Sequence, residues 1–426
     1  MSDFPNSIRL PAPVRISEQV WPEGTVPVVS VFCITYNHVN FIRDAIEGFL
    51  MQETTFPVEI FIHDDASTDG TAEIVKEYAE KYPKLFWTVL QTENQWSKGK
   101  ANAFFCGLMQ KQRGEFVALC EGDDYWIAKE KLQKQVEVLE GDHKLVGCCH
   151  EILSNLIPNN GSVFVSHFSH LCLSQRVDLN YLLHSNVVAT SSAIFRRKQA
   201  CFPQEAFEGL AMGDWPMWIV LAKNGDFWFD STPRSFYRVH PGGVWSSTKS
   251  EKGEFESLKM LSKMSHYIDK KYEDSGVLGI IKYYLPFWVR IFLHGDEAYF
   301  GLAHDEAANC AWDKDKIRSQ LARSLMSQNI LGIQGSRLST FRVAWTVSTQ
   351  LRDIFKKTNN SNYCAALASS IIGQAWSGKL KRPLFSVWLI LLALRVSFYR
   401  SILSLAEMAA TTFGWRATSI KNGYSN

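Results

Sequence analysis

Two short runs of carboxylates carry the chemical interest of this sequence: Asp64-Asp65-Ala66-Ser67 and Glu121-Gly122-Asp123-Asp124-Tyr125-Trp126. Each follows an apolar run of strand length, VEIFIH (58–63) in one case and FVALC (116–120) in the other. A third polar run, Thr35-Tyr36-Asn37-His38, follows VVSVFCIT (28–35) in the same manner. In open α/β sheets ligands bind beyond the carboxyl ends of the strands, so three such loops would meet at one edge. Carboxylates gathered there repel one another and need a cation or hydrogen-bond donors to stay ionised. A divalent metal meets that need. An oxygen-only ligand set favours Mg2+ or Mn2+, hard ions whose open positions take substrate phosphates.

The elements that must hold these loops are legible in the periodicity. Phe41, Ile42, Ala45, Ile46, Phe49 and Leu50 share one helix face, with Asn40 placed to cap it. Ile74, Val75, Tyr78 and Ala79 mark a second helix, with Asp69 as its N-cap. LFWTVLQ (85–91) reads as a third strand, residues 100–112 as a third helix, and KEKLQKQVEVLE (129–140) as a fourth. This alternation predicts an α/β fold with a mainly parallel sheet flanked by helices. Beyond residue 145 the pattern becomes α+β: LVGCCHEILSNL and SVFVSHF flank PNNG, a hairpin turn or short loop. After residue 250 apolar positions recur at helical spacing, so an all-α region follows. The expected organisation is a leader (1–25), an α/β domain (26–250), a helical region (251–355) and a C-terminal helical segment (356–426).

Composition narrows the class. With 426 residues, 46% hydrophobic and 21% charged, the chain is globular and long enough for a second unit. A formal net charge of +2, with no basic and aromatic patch early in the chain, gives no ground for a nucleic-acid partner. Nine cysteines without a C-x-x-C pair fit reduced thiols in a cytoplasmic setting, and the N-terminus lacks a secretory pattern. Near the C-terminus, PLFSVWLILLAL (383–394) is shorter than the roughly 20 residues a spanning helix needs. Arg395 and Arg400 follow it, and Lys379, Lys381 and Arg382 precede it. The pattern suits an interfacial helix on an anionic membrane surface, at the cytoplasmic face, with a buried helix as the competing reading.

VPVVSVFCITYNH, EIFIHDDASTDGT and GEFVALCEGDDYW resemble the signatures of glycosyltransferase family 2, in order and at the usual spacing. GDWPMW around Asp214 and YRVHPGGVW around His240 extend the resemblance, which covers roughly residues 26–245. The family implies a GT-A fold, a nucleotide-diphosphate sugar donor, a divalent metal and, usually, inversion at the anomeric carbon. On that resemblance Thr35, Tyr36 and Asn37 line the donor, with Tyr36 packing on the base and Asp65 hydrogen-bonding it. Asp123 and Asp124 hold ribose and metal, His240 joins the metal, and Asp214 is the general base. Lys100 and Arg238 would contact phosphates, and Trp126 would lie beside the donor. A uracil N3–H suits a carboxylate acceptor at Asp65, which favours uridine diphosphate sugars. The Q-x-x-R-W signature of processive synthases is absent after Asp214, so addition of one sugar to a glycan or lipid-linked acceptor is expected.

Other readings compete. A calcium loop starting at Asp65 fails at its twelfth position, Lys76, where a bidentate Glu is needed. Haloacid-dehalogenase phosphatases need two Asp one residue apart, whereas Asp64 and Asp65 are adjacent. Asp123 and Asp124 could be turn residues, and Asp214 a helix cap. At the level of function, a non-catalytic nucleotide-sugar or glycan-binding protein is the alternative. A nucleotidyltransferase would want a Gly-rich phosphate loop after the first strand, and none is there.

Overall fold

Strands β2 (Val29–Thr35) and β4 (Val58–Asp64) are buried along their whole length except at Ile34, as expected of parallel strands covered on both faces. The computed structural model describes residues 8–98, 107–109, 111–155, 175–243, 250–294 and 299–327. Around β2 and β4 stand β5 (Phe86–Leu90), β6 (Phe116–Glu121), β7 (Tyr125–Trp126), β8 (Leu145–Ser154), β9 (Arg176–Val177), β10 (Ile194–Arg196) and β11 (Asp226–Tyr237). The sheet order is β5-β4-β2-β6-β10-β8-β11-β7, with β9 also on β11, while β1 (Val14–Arg15) and β3 (Glu53–Thr54) pair separately. From β5 to β6 all pairings are parallel. β10 then runs antiparallel between β6 and β8, and β8 pairs parallel with β11. The sheet is therefore mixed, and two reversals at β10 leave β8 and β11 pointing the same way as β6. Thr35, Asp64, Leu90, Glu121, Ser154 and Tyr237 all end strands at one edge.

Helices α1 (Ile42–Leu50), α2 (Thr71–Lys81), α3 (Lys131–Gly141) and α4 (Asp214–Ala222) belong to the same unit. α1 buries the predicted face, Ile42, Ala45, Ile46, Phe49 and Leu50. Asn40 does not cap it: the helix starts after Phe41, and the Phe41 and Ile42 amides both donate to the His38 carbonyl at 2.8 Å. The cap of α2 is Gly70, at φ 102°, a left-handed conformation that glycine tolerates. Asp69 sits one residue earlier, accepting from the amides of Thr71 and Val39, each at 3.0 Å. It thus joins the second loop to the first as well as serving the helix. The core beneath includes Val31, Cys33, Phe49, Phe56, Ile60, Ile62, Phe116 and Leu132.

A second unit begins at Gly276, with Ser257–Ser262 attached to it. The helices of this part of the chain are α5 (Ser250–Met264), α6 (Glu273–His294), α7 (Phe300–Asn309) and α8 (Lys314–Ser327). Within the unit the Tyr284 hydroxyl meets His304 Nδ1 at 2.8 Å, and Gly276 lies so close to the Trp312 indole that a Cβ would stand 2.2 Å from it. Among the described residues no helix is long and apolar enough to cross a membrane. Lys100, the PNNG turn, SVFVSHF and the whole segment 356–426 lie outside the described residues.

Candidate active site

The common strand edge brings the acidic loops together, and one register explains how the late motif reaches them. β7 pairs antiparallel with β11, Tyr125 opposite Phe236 and Trp126 opposite Ser235. Continued outward, that register sets Asp123 against Arg238. The Arg238 amide donates to Asp124 Oδ1 at 3.0 Å, and its guanidinium donates to the Asp123 carbonyl at 2.8 Å and to Asp44. The guanidinium also stacks over Tyr125 at 4.3 Å and Phe41 at 5.2 Å. His240 Nε2 lies 3.1 Å from Asp123 Oδ2, and His38 Nε2 lies 3.7 Å from the same oxygen. Asp123 therefore faces two imidazoles, one from each end of the chain's α/β domain.

Gly122 is required by this crowding. A Cβ there would meet Thr35 Oγ1 at 2.5 Å and Thr35 Cβ at 2.7 Å, so the acidic loop can lie on the first loop only without a side chain. Thr35 itself is buried, and its hydroxyl has no hydrogen-bond partner among the described residues.

Burial outweighs the neighbouring cations in the electrostatics of the site. Burial, together with Asp123 beside it, holds the Asp124 carboxyl well above the usual carboxylate range. Asp124 Oδ2 is buried without a hydrogen-bond partner among the described residues. Glu121 keeps contact with solvent but is surrounded by protein, and that desolvation raises its carboxyl well above the ordinary value, with Asp123, Asp124 and Asp214 adding to it. Asp214, in the first turn of α4, is raised by desolvation and accepts from Asn186 Nδ2 at 3.1 Å. Burial lowers His38, against the opposing pull of Asp123. Asp123, Asp124 and Asp214 thus all lie within electrostatic reach of Glu121.

The second and third loops build an adjoining region. Asp64 accepts from the Ser67 amide at 2.9 Å. Asn37, at φ 55°, exchanges hydrogen bonds with the second loop: Ser67 Oγ accepts its amide and Asn37 Oδ1 accepts from Thr68, each at 2.8 Å. Asp65 is buried, and its two oxygens accept from the amides of Gln95 (2.8 Å) and Trp96 (3.0 Å). Each oxygen keeps a second lone pair. Tyr36 is 43% exposed, which leaves its ring available for stacking.

Residues 30–199 match the domain described as glycosyl transferase family 2. The chain carries a family 2 glycosyltransferase domain. An uncharacterized protein of Mycobacterium tuberculosis is 34% identical over 231 residues, which are 53% of this chain and 63% of that protein. The chain therefore spans less than two thirds of that relative's length. WfaP of Escherichia coli, a UDP-Glc:alpha-D-GlcNAc-diphosphoundecaprenol beta-1,3-glucosyltransferase, is 27% identical over 223 residues, 51% of this chain and 79% of WfaP. Among solved structures, residues 1–349 of S. aureus TarS with UDP-GlcNAc superpose with a TM-score of 0.50 at 16% identity, covering 81% of this chain and 92% of that one. That likeness bears on the fold, which is GT-A.

Two expectations change. Trp126 does not lie beside the donor: it is 1% exposed, donates to the Ser191 carbonyl at 2.9 Å, and packs against Phe49 on one side and the buried Lys131 amine, 4.2 Å from the ring centre, on the other. An indole with both a hydrogen-bond partner and a full set of neighbours is core. Arg238, expected on phosphate, has its guanidinium engaged by Asp123 and Asp44 and so supports the acidic loop. His38, which has no role in the family resemblance, belongs to the cluster. Asn186 and Asp44 are further participants with no sequence signal.

Proposed function

We propose that the protein is an inverting glycosyltransferase that moves one sugar from a nucleotide-diphosphate donor, with uridine preferred, to a hydroxyl of a glycan or lipid-linked acceptor. The observation that carries this reading is the meeting of Glu121, Asp123, Asp124 and Asp214 at the strand edge, beside the exposed Tyr36 and the buried Asp65. The name of WfaP, a glucosyltransferase acting on a lipid diphosphate, supports both the uridine donor and the acceptor class.

The residues fit a divalent metal, Mg2+ or Mn2+. A buried carboxylate oxygen without a partner among the described residues, next to a second carboxylate, is the kind of donor a hard cation takes, which supports this reading. Asp124 and Asp123 would hold the ion, with His240 beside them, and the ion would offset charge on the leaving diphosphate. The chain's own residues do the rest. Asp214 takes the proton of the attacking acceptor hydroxyl, Tyr36 stacks on the base, and a free lone pair of Asp65 accepts the uracil N3–H. Arg238 fixes the acidic loop. Incubation with a panel of labelled UDP-, GDP- and dTDP-sugars, scored for nucleotide release and sugar transfer, tests the reading. Binding without turnover for every donor, given an acceptor extract, would favour the non-catalytic alternative.

For the base pocket, calorimetry is expected to rank UDP above GDP and dTDP. Tyr36→Ala should weaken UDP by roughly tenfold, the size of a lost base–aromatic stack. Tighter binding of GDP would defeat the preference. The C-terminal segment 356–426 is proposed to dock on the cytoplasmic face of a membrane. Flotation with anionic liposomes at low salt should carry the full chain upward, and a chain ending near residue 330 should stay behind while still binding UDP. A full chain that remains in the soluble fraction at low salt would leave the buried-helix reading.

A further inference from the structure

The backbone ladder between β8 and β11 ends at the pair Ser154–Tyr237. One residue beyond it, the side chain of Asn155 takes over. Its Oδ1 accepts from the Val239 amide at 2.7 Å, and its Nδ2 donates to the Val239 carbonyl at 3.1 Å. A primary amide presents donor and acceptor as a peptide does, so Asn155 adds one more rung to the sheet after the main chains have stopped pairing. The pairing also fixes the amide's orientation. Turned over, it would set NH2 against N–H and oxygen against oxygen.

Val239 is the residue between Arg238 and His240. On one side of it the Arg238 amide holds Asp124 Oδ1, and on the other His240 Nε2 meets Asp123 Oδ2. Both contacts depend on where the backbone at 239 lies. Past Tyr237 no main-chain rung among the described residues holds that backbone, and the β7 pairing ends at Phe236. We propose that Asn155 is a positioning residue of the active site, pinning Val239 so that Arg238 and His240 stand over Asp123 and Asp124. The inference rests on the metal-binding reading given above. Asn155 itself is exposed, where water competes for its hydrogen bonds, so its contribution to global stability is small and its effect is concentrated on the strap 238–240.

Asn155→Ala removes both contacts. Asn155→Asp keeps the acceptor for the Val239 amide but turns a carboxylate oxygen toward the Val239 carbonyl. The full chain and both variants are compared by calorimetry of UDP with and without Mn2+, and by thermal unfolding. The parent should bind UDP more tightly with Mn2+. In both variants that Mn2+-dependent gain should shrink by about tenfold or more, the usual consequence of losing a partner that orients a metal site, while metal-free UDP affinity and melting temperature stay near the parent's. An Asn155→Ala protein with the full Mn2+ gain overturns the positioning role and leaves the metal reading standing. Loss of metal-free UDP binding together with a large drop in melting temperature overturns it too, in favour of a general structural role. A parent whose UDP affinity ignores both Mn2+ and Mg2+ overturns the metal reading, and the inference with it.

Discussion

Asp214→Asn is expected to lower turnover at least a hundredfold while donor affinity stays within a few-fold of the parent, the pattern of lost general-base catalysis. The carboxylate is well placed for the task. It sits in the first turn of α4, where the helix dipole favours the anion, yet desolvation raises its carboxyl above the ordinary value. A raised value makes it a stronger base than an exposed aspartate. Asparagine keeps the size and can still meet Asn186, but it cannot take a proton. The pH profile carries the same sign. A base must be ionised, so turnover should be full above the raised value and fall away as pH drops through it, at a higher pH than an ordinary aspartate would give. Near-normal turnover in the variant would return Asp214 to a helix-end role, as would a profile that falls no earlier than an ordinary aspartate's.

Asp124→Asn should abolish activity without loss of stability. The sequence alone suggests an exposed loop carboxylate whose removal costs little, but Asp124 is 1% exposed, so the reason must be different. Asparagine retains the Oδ1 acceptor for the Arg238 amide and removes the charge that burial and Asp123 disfavour. The linkage has a definite sign. The folded-state carboxyl of Asp124 is raised above its unfolded value, so the stability it confers is full below the unfolded value and lost as pH rises through the folded one. Without divalent ions, the parent should therefore lose melting temperature relative to Asp124→Asn as pH climbs above the ordinary carboxylate range. Unfolding curves in EDTA across that range, paired with transfer assays in Mg2+ or Mn2+, measure both halves. Asp124→Ala differs: it strips the Arg238 amide of its acceptor, at a cost of about 1–3 kcal/mol. Full parent activity in excess EDTA, or an Asn variant that melts well below the parent at neutral pH, would defeat the prediction.

The strands that carry the site were legible because parallel, doubly covered strands write themselves as mainly apolar runs, as in VVSVFCIT and VEIFIH. Loops after such runs could be assigned to one edge from topology alone. What periodicity cannot convey is orientation across a reversal. β10 has three residues and lies antiparallel between β6 and β8, so nothing in its composition announces that β8 and β11 return to the same edge. The β7–β11 bridge is shorter still, two residues, and its register brings Arg238 opposite the acidic loop. Trp126 was misplaced for a related reason. It is next to Tyr125 and two residues from Asp124 in the chain, but the strand pleat turns neighbours to opposite faces, and the indole went inward. Asn155 and Asn186 act through single side chains at positions fixed by tertiary structure, and no local pattern marks them.

The antiparallel bridge from β7 to β11 has a bearing on how the molecule is assembled in time. The contacts that complete the acidic site join residues 114 to 194 positions apart, Asp124 to Arg238 and Arg238 to Asp44 among them. Closing so long a loop is slow relative to local pairing. During synthesis, then, the carboxylates of Glu121, Asp123 and Asp124 emerge and pass through a period with no clamp, while the residues that restrain them have yet to be made. The stretch 30–199, by which the family is recognised, contains all three of those acids but neither Asp214 nor the strap at 238–240. Expressed alone it would be the troublesome part of the site without its restraint. A piece that keeps the site whole must reach past β11 to His240, beyond the boundary that sequence similarity draws.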